Sequence, residues 1–281
     1  MRLVRFGDRG AEKPGLLDGE GRVRDLSAHV SDLEGATLSP EGLARLGALD
    51  VAALPLAPAG VRLGVCVAGT GKVLCIGKNY ADHAAEMKSD VPKEPLLFMK
   101  ATSALTGPHD GVCAPRSTAK LDYEGELALV IGRKTQYVSE AEALSHVAGY
   151  AIMNDVSERA FQNEHGGQFT KGKSADGFAP LGPCLTTADE IADPQALRVR
   201  TWVDDELRQD GRTLDMIFSA AFIISYLSEF MTLYPGDVIS TGTPHGVAAG
   251  MSPPGWVRHG QTVRVAIDGL GEIANRFTVD K

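Results

Sequence analysis

Two glutamates at the start of an apolar run are the first residues that could carry chemistry. Glu124 and Glu126 lead into residues 127–131, which read Leu-Ala-Leu-Val-Ile. Because side chains alternate across a strand, both carboxylates project from the same face. They repel each other unless a positive charge lies between them, and a hard divalent cation is the natural partner. A solvated pair of surface acids at a strand start is the alternative.

A third carboxylate stands at the end of another apolar run. Residues 150–153 form a predicted strand, and Asp155 follows it just before a polar helix. Three carboxylates, with positions left for water and substrate, fit the coordination of Mg²⁺ or Mn²⁺ in catalytic sites. Asp155 and Glu158 also have the spacing of a helix capping box, so a purely structural role stays open.

A histidine and a glutamate form a candidate general-base pair. His83 and Glu86 lie three positions apart on a short, alanine-rich predicted helix. At that spacing the carboxylate can orient the imidazole, which can then take a proton from water. A solvated pair on an exposed helix is the alternative.

Two further segments contain residues that could bind an anion. Residues 169–183 contain Lys171 and Lys173 among glycines and prolines, which predicts a shaped loop with no helix, holding either functional or solvated lysines. Residues 240–247, Ser-Thr-Gly-Thr-Pro-His-Gly-Val, predict a strand followed by a tight turn. Hydroxyls and amides there could bind an anionic group or merely satisfy the turn.

The elements that position these residues are mostly short strands. Their frequency favours a strand-rich sandwich or roll over a doubly wound sheet. One long amphipathic helix is predicted over residues 214–232, ended by Pro235 and Gly236. The predicted strands after residue 70 cover residues 73–76, 96–99, 126–131, 150–153, 197–203, 238–240 and 262–267.

The first 68 residues are predicted to form a small separate α/β domain. It would contain strands over residues 3–6 and 22–26 and a helix over residues 40–49, with Ser39 as N-cap and Pro40 in the first turn. The proline-dense residues 54–60 read as a linker. We therefore expect domains at residues 1–68 and 69–281.

Composition excludes several classes of protein. With 28 basic and 36 acidic residues the net charge is −8, which disfavours nucleic-acid or membrane-surface binding. The longest apolar region, residues 218–231, is interrupted by serines and Glu229 and is too short to span a bilayer. Four widely spaced cysteines without a Cys-x-x-Cys pair predict reduced thiols in a cytoplasmic protein.

Five motifs, taken in order, resemble the fumarylacetoacetate hydrolase family. They lie at residues 76–86, 122–128, 154–159, 172–174 and 240–244, and the resemblance covers roughly residues 72–281. It implies a mixed α/β, β-rich fold, a β-roll with flanking helices, with the small N-terminal domain of the shorter bacterial branch. It also implies a homodimer and a divalent cation, Mg²⁺ with Mn²⁺ or Ca²⁺ as alternatives.

The resemblance implies roles for individual residues. The implied metal ligands are Glu124, Glu126 and Asp155. The implied catalytic residues are His83 and Glu86, which activate water from a lid helix, and Lys173, which stabilises negative charge near the metal. The implied substrate contacts are Lys78, Arg159, Gln162 and Thr243. Lys78 stands where several relatives have arginine, so the point charge of an ammonium replaces a guanidinium that could bind a carboxylate with two hydrogen bonds.

The implied reaction is hydrolysis of a carbon–carbon bond in a ketonic substrate. A 2,4-diketo acid of the acylpyruvate type, such as 2,4-diketo-3-deoxy-L-rhamnonate, would be cleaved to pyruvate and a second acid. Water activated by His83 would attack C4, with the metal as Lewis acid. The alternatives are an oxaloacetate-type decarboxylase, a 2-hydroxy-dienedioate isomerase on the same metal site, and a metal-binding protein without catalysis. In each catalytic case the partner is a small anionic 2-oxo acid, and the group beyond C4 is left open.

Overall fold

Residues 1–280, the part of the chain that the computed structural model describes, contain seventeen short strands and six α-helices. Lys281, the last residue of the predicted second domain, lies outside the described residues. The strands are β1 (Arg2–Phe6), β2 (Lys13–Leu17), β3 (Val23–Asp25), β4 (Val73–Gly77), β5 (Leu96–Lys100), β6 (Leu105–Thr106), β7 (Val112–Ala114), β8 (Leu121–Asp122), β9 (Gly125–Ile131), β10 (Val147–Asn154), β11 (Ser157–Glu158), β12 (Ala179–Thr187), β13 (Arg198–Val203), β14 (Glu206–Arg212), β15 (Val238–Ser240), β16 (Thr262–Ile267) and β17 (Gly271–Val279). The helices are α1 (Pro40–Gly47), α2 (Ala81–Glu86), α3 (Glu140–Ala143), α4 (Arg159–Asn163), α5 (Thr170–Lys173) and α6 (Ala220–Phe230). The predicted mixed, strand-rich fold is confirmed.

A ten-stranded sheet holds the candidate site. Its order is β3-β2-β1-β12-β10-β9-β15-β4-β5, with β6 beside β12. The central strands β9 and β10 are antiparallel, and Gly125 lies opposite Asn154. This register places the end of β10 beside the start of β9. Asp155 therefore comes next to Glu124 and Glu126, although some thirty positions separate them in the sequence.

Both faces of the central strands are covered. Every residue of β9 and β10 is buried, and a five-stranded sheet, β14-β13-β16-β17-β7, contacts β9, β10 and β12. The helix α6 contributes Ile223, Ile224 and Leu227 to the same hydrophobic core. Strands that are buried on both faces read as continuous apolar runs, which is the pattern of residues 127–131.

Every strand predicted after residue 70 is present, with ends displaced by three residues or fewer. The prediction missed β2, β12, β14 and β17 and the two- or three-residue strands β6, β7, β8 and β11. In β12, Pro180 and Pro183 make the strand hard to recognise from the sequence, because proline normally marks an edge strand or a break. In β14 the residues are mainly polar because the strand lies at the edge of the smaller sheet.

The helix predicted over residues 214–232 is wrong at its N-terminal side. α6 begins at Ala220, because the Ser219 side chain accepts a hydrogen bond from the Phe222 amide and caps the helix. A separate 3-10 turn spans Thr213–Asp215. The Ser39 cap of α1 is confirmed.

Within residues 1–280, no helix is both long and apolar enough to cross a membrane.

The N-terminal strands extend the large sheet. β1 pairs antiparallel with β12, with Arg2 opposite Thr186 and Leu3 opposite Leu185. Arg62 adds a bidentate ion pair to Asp110, at 2.8 and 2.7 Å. The first 68 residues thus share a sheet with the rest of the chain, and the domain boundary near residue 68 stays a prediction.

Candidate metal centre and active-site cavity

Three buried carboxylates converge at the middle of the large sheet. Glu124, Glu126 and Asp155 each offer an oxygen, and these oxygens lie within 4.8 Å of one another. The Asp155 amide donates to the Glu124 carbonyl at 2.9 Å and fixes the two segments together. Three hard oxygen donors with few other protein ligands fit Mg²⁺, Mn²⁺ or Ca²⁺. The residue types present therefore suit a divalent cation.

Asp155 does not take part in a capping box. The N-cap of α4 is Glu158, whose carboxylate accepts from the Ala160 amide at 3.0 Å. The short strand β11 separates Asp155 from that helix, where the sequence had predicted a direct strand-to-helix step. The helix-capping alternative for Asp155 is therefore wrong.

Two buried lysines hold the Asp155 carboxylate. Lys173 Nζ donates to Asp155 Oδ2 at 2.9 Å and to Glu124 Oε2 at 2.6 Å. Lys100 Nζ donates to Asp155 Oδ1 at 2.5 Å and to the Val156 carbonyl at 3.0 Å. Lys100 was missed by the sequence analysis; the available signal was a lysine closing the apolar run of β5.

The prediction that the lysines of residues 169–183 lie outside any helix is wrong. Lys171 and Lys173 lie on the single-turn helix α5. Gly172 does not break this helix; it lets α5 approach another segment closely. A Cβ at this position would lie 2.6 Å from the Glu158 carbonyl oxygen. The glycine thus serves the packing that brings Lys173 to the carboxylates.

The turn after β15 holds one of the candidate ligands. Ser240 Oγ and the Gly242 amide both donate to Glu126 Oε2, at 2.5 and 2.9 Å. The anionic group bound by this turn is therefore the chain's own carboxylate. Burial raises the pKa of Glu126 well above its ordinary value, and the nearby charges of Asp155 and Glu124 raise it further. A cation among the three acids would relieve this cost.

Arg159 lies on α4, and each of its three side-chain nitrogens donates to a protein acceptor. It donates to Asp122 Oδ2 at 2.8 Å, to Glu124 Oε1 at 2.6 Å and to Gln162 Oε1 at 3.0 Å. Burial alone would raise the pKa of Glu124, but Lys173 and Arg159 hold that pKa below its ordinary value. Glu124 is thus kept ionised by two cationic side chains that bond both of its oxygens.

The His83–Glu86 pair faces the same site. His83 Nδ1 lies 3.3 Å from Glu86 Oε2, and His83 is only 5 % exposed. Glu86 also accepts from the Gly246 amide at 3.0 and 3.1 Å, which fastens α2 to the turn after β15. A Cβ at Gly250 would lie 2.1 Å from the Glu86 side chain, so any other residue there would displace the Glu86 carboxylate. The buried histidine does not fit a solvated pair on an exposed helix.

One cavity of about 330 Å³ connects these residues. Eight of the ten predicted site residues line it, and the other two, Glu86 and Asp155, contact lining residues. The Thr243 hydroxyl lines it while donating to the Gly125 carbonyl at 3.0 Å and accepting from Gln209 on β14 at 2.8 Å. The lining residues that the sequence analysis did not single out are Ile76, Gly77, Met87, Phe98, Asn163 and Phe169.

Comparison with known sequences places most of the chain within one family. The sequence model described as fumarylacetoacetate (FAA) hydrolase C-terminal matches residues 72–278. A Burkholderia cenocepacia (strain HI2424) protein that carries a provisional hydrolase name is 54 % identical over 277 residues, covering 98 % of each chain.

Solved structures with the same fold cover the whole chain. A fumarylacetoacetate hydrolase from Exiguobacterium antarcticum has a TM-score of 0.86 and 39 % identity, with 100 % of both chains covered. Maleylpyruvate hydrolase from Sphingobium sp. SYK-6, solved with manganese(II) and pyruvate, has a TM-score of 0.84 and 31 % identity, again over 100 % of both chains. A 2-hydroxyhepta-2,4-diene-1,7-dioate isomerase from Mycobacterium marinum has a TM-score of 0.79 and 33 % identity, over 100 % of this chain and 99 % of that one.

Proposed function

This chain belongs to the fumarylacetoacetate hydrolase family, and from that premise we propose that it is a metal-dependent hydrolase of 2,4-diketo acids. The bond cleaved would be C3–C4 of an acylpyruvate-type substrate, giving pyruvate and a second acid. One observation supports this most directly. The carboxylate cluster and the buried His83–Glu86 pair line or contact the same cavity, which joins a place for a cation to a base that can activate water.

The cation site would be formed by Glu124, Glu126 and Asp155. We propose Mg²⁺ as the resident ion, with Mn²⁺ or Ca²⁺ as alternatives, because all three prefer oxygen ligands. A bound divalent cation supplies Lewis acidity, which polarises the 2-oxo group of a substrate. Ser240 and Gly242 keep Glu126 in place for this role, and Lys100 does so for Asp155.

The chain's own residues would move the protons. His83 takes a proton from water, with Glu86 orienting the imidazole, and the water oxygen bonds to C4. The C3–C4 bond then breaks and its electron pair stays with C3, which takes up a proton to give pyruvate. The second product is the acid that retains C4. Lys173 lies beside Glu124 and Asp155 and would offset negative charge developing on the pyruvate half.

An isomerase acting on a 2-hydroxy-dienedioate is the second candidate. It is favoured by the likeness to the Mycobacterium marinum isomerase at 33 % identity. Isomerisation needs proton transfers and no attacking water, so it would use His83 only as a proton carrier. A buried His–Glu pair beside the carboxylates suits either reaction, and product analysis separates them.

Product analysis on a substrate panel tests the proposal. The panel contains 2,4-diketo acids, oxaloacetate and a 2-hydroxy-dienedioate, each with Mg²⁺ and with EDTA. We expect metal-dependent release of equal amounts of pyruvate and a second acid from a diketo acid. Decarboxylation of oxaloacetate, or conversion of the dienedioate without pyruvate release, combined with no cleavage of diketo acids would overturn the proposal.

We also propose that the protein is a cytoplasmic homodimer. α6 presents an aromatic row in which Phe222 and Phe230 are 36 % and 64 % exposed, and neighbouring ring centroids from Phe218 to Phe230 lie 4.9–6.2 Å apart. Contiguous exposed apolar surface is typical of protein interfaces. Four free cysteines, three of them buried, support a reducing compartment.

A further inference from the structure

Gln209, on the edge strand β14 of the smaller sheet, has a side chain that reaches the candidate site from outside the cavity. The residue is fully buried. Gln209 Oε1 accepts from the Gly125 amide at 3.0 Å, and Gln209 Nε2 donates to Thr243 Oγ1 and to the Pro244 carbonyl, each at 2.8 Å. These three bonds join β14 to the start of β9 and to the turn after β15.

The orientation of this amide is fixed by its partners. The nitrogen has two hydrogens, and both are used, one for Thr243 and one for Pro244. A reversed amide would bring its nitrogen against the Gly125 N–H and its oxygen against the Pro244 carbonyl. The observed orientation satisfies all three groups, whereas an apolar side chain of equal length would satisfy none of them.

The Gln209 amide continues the hydrogen bonding of β9 past the end of β15. On the side of β9 that faces β15, the Leu127 carbonyl accepts from the amide of Thr241, the residue that follows β15, at 3.1 Å. Two residues earlier, side chains take over: Gln209 accepts from the Gly125 amide, and the Thr243 hydroxyl donates to the Gly125 carbonyl at 3.0 Å. Together they fix both peptide groups between the two glutamates of the carboxylate cluster.

The strand β14 is shaped to bring this amide to the site. Its pairing with β13 skips Arg208, which makes a β-bulge directly before Gln209, and bulges re-aim neighbouring side chains. Two glycines allow a close approach to the turn after β15. A Cβ at Gly211 would lie 2.4 Å from the Pro244 side chain. A Cβ at Gly246 would lie 1.9 Å from the Arg208 carbonyl oxygen. The edge strand therefore packs directly against the turn.

We propose that Gln209 is a positioning residue of the cation site. It does not line the cavity; it acts through Gly125 on the carboxylates of Glu124 and Glu126, and through Thr243 on the cavity wall. This inference rests on the proposed function for the presence of a divalent cation. Residues that orient metal ligands typically contribute about 10- to 100-fold to metal affinity, and Gln209 holds the segment that carries two of the three proposed ligands.

Calorimetric titration with Mn²⁺ tests the inference without turnover. Gln209→Met keeps the length of the side chain and removes its three bonds. We expect the Mn²⁺ affinity of the folded variant to fall by about 10- to 100-fold. Gln195→Met is the matched control, because the Gln195 amide also bonds three partners, the Thr213 carbonyl, Met216 Sδ and the Ala220 amide, and does not line the cavity. This control should bind Mn²⁺ as the wild type does.

Urea unfolding separates positioning from a merely structural role. Both glutamine variants should unfold at lower urea concentrations, since each leaves polar groups without partners. A less stable Gln209→Met with wild-type Mn²⁺ affinity would overturn the inference. If Gln209→Met does not fold, Gln209→Asn replaces it, because its amide is one methylene shorter and cannot reach all three partners. Its Mn²⁺ affinity should fall by a smaller factor, and an unchanged affinity would equally overturn the inference.

Thr243 provides a second check on the same network. Thr243→Val removes the donor to the Gly125 carbonyl, whereas Thr243→Ser keeps the hydroxyl and should stay within a few-fold of the wild-type Mn²⁺ affinity. Since Gln209 and Thr243 both act through Gly125, the double variant Gln209→Met, Thr243→Val should lose no more affinity than the weaker-binding single variant. Losses that multiply would mean that the two residues act independently, and would refute a shared role through Gly125.

Turnover of a 2,4-diketo acid distinguishes failure of this inference from failure of the proposed function. Cleavage by the wild type, together with unchanged Mn²⁺ affinity in Gln209→Met, would refute only the positioning role. A loss of Mn²⁺ affinity in Gln209→Met, with no cleavage by the wild type, would refute the hydrolase proposal and support the positioning role.

Discussion

Replacing His83 by alanine should lower kcat for cleavage of a 2,4-diketo acid by roughly 10²- to 10⁴-fold, the usual contribution of a positioned base. The reason is that water loses its proton acceptor while the carboxylate cluster stays intact. Glu86→Gln should cause a smaller loss, because glutamine can still accept from the Gly246 amide but carries no charge to orient the imidazole. Steady-state kinetics under saturating Mg²⁺ measure both effects.

Binding of oxalate, a dianion that mimics the 2-oxo acid end of a substrate, serves as the control for these variants. The affinity of each variant for oxalate with Mg²⁺ should stay within a few-fold of the wild type, since neither residue is a proposed metal ligand. His83→Ala turning over the diketo acid at the wild-type rate would show that water is activated elsewhere.

Glu126→Gln should abolish tight binding of Mg²⁺ or Mn²⁺. The carboxylate is one of three within 4.8 Å, and an amide oxygen provides neither its charge nor two equivalent oxygens. Calorimetric titration with Mn²⁺ measures the loss, and Glu229→Gln, on the exposed face of α6, is the charge-matched control. Metal affinity within twofold of the wild type would exclude the cluster as the cation site.

Lys100→Met should destabilise the metal-free protein by about 3 kcal/mol, because it breaks a buried ion pair with Asp155. The loss is at the low end for such a change because Lys173 still pairs with Asp155. Urea unfolding in the presence of EDTA measures the change. Lys134→Met is the control, since Lys134 is exposed and a surface substitution usually stays within about 0.5 kcal/mol. If both variants unfolded at the same urea concentration, the pairing of Lys100 with Asp155 would contribute nothing to stability.

At the scale of elements, residues 79–90 should exchange amide hydrogens faster without ligand than with Mg²⁺ and oxalate. Only six of these residues form α2, and contacts at Glu86 and at the exposed Asp82–His245 pair, 2.6 Å apart, tie it to the turn after β15. A ligand in the cavity adds contacts to His83 and Met87, and lids of this kind close over bound substrate. Hydrogen exchange followed by mass spectrometry reports the protection, with the fully buried β9 as internal reference. Equal protection in both states would contradict a lid.

The elements also show where sequence reasoning succeeds and where it ends. Apolar runs predicted the central strands, because β9 and β10 are buried on both faces. The alternation of side chains along a strand correctly predicted that Glu124 and Glu126 lie close together. The partner of Lys100 could not be predicted, since Asp155 is 55 positions away and the pairing depends on how two segments meet in space. β12 could not be recognised because of its prolines. Proline disfavours strands only as a tendency, and the pairing of β12 with its neighbours overrides that tendency.

At the scale of the whole molecule, sedimentation equilibrium should give twice the 29.7 kDa of one chain. Phe230→Asp combined with Phe222→Asp should shift the mass to that of a single chain, because both side chains lie on the aromatic row of α6. Leu207→Asp is the control, an exposed apolar residue on β14. A single-chain mass for the wild type would refute the homodimer, and a dimer that survives the α6 variants would assign its interface to another surface.

The order of strands in the large sheet also separates the three candidate metal ligands from other residues that line the cavity. Glu124, Glu126 and Asp155 lie on or next to the central strands β9 and β10, whereas Phe98 lies on β5 and Lys78 directly follows β4, at one flank of the sheet. Substitutions at the flank can redraw the shape and charge offered to a substrate's tail without disturbing the core that fixes the three acids. Related proteins can therefore differ in substrate specificity while keeping the same three acids. A saturation library confined to Lys78, Met87, Phe98 and Phe169 is the natural starting point for redirecting this scaffold in the laboratory.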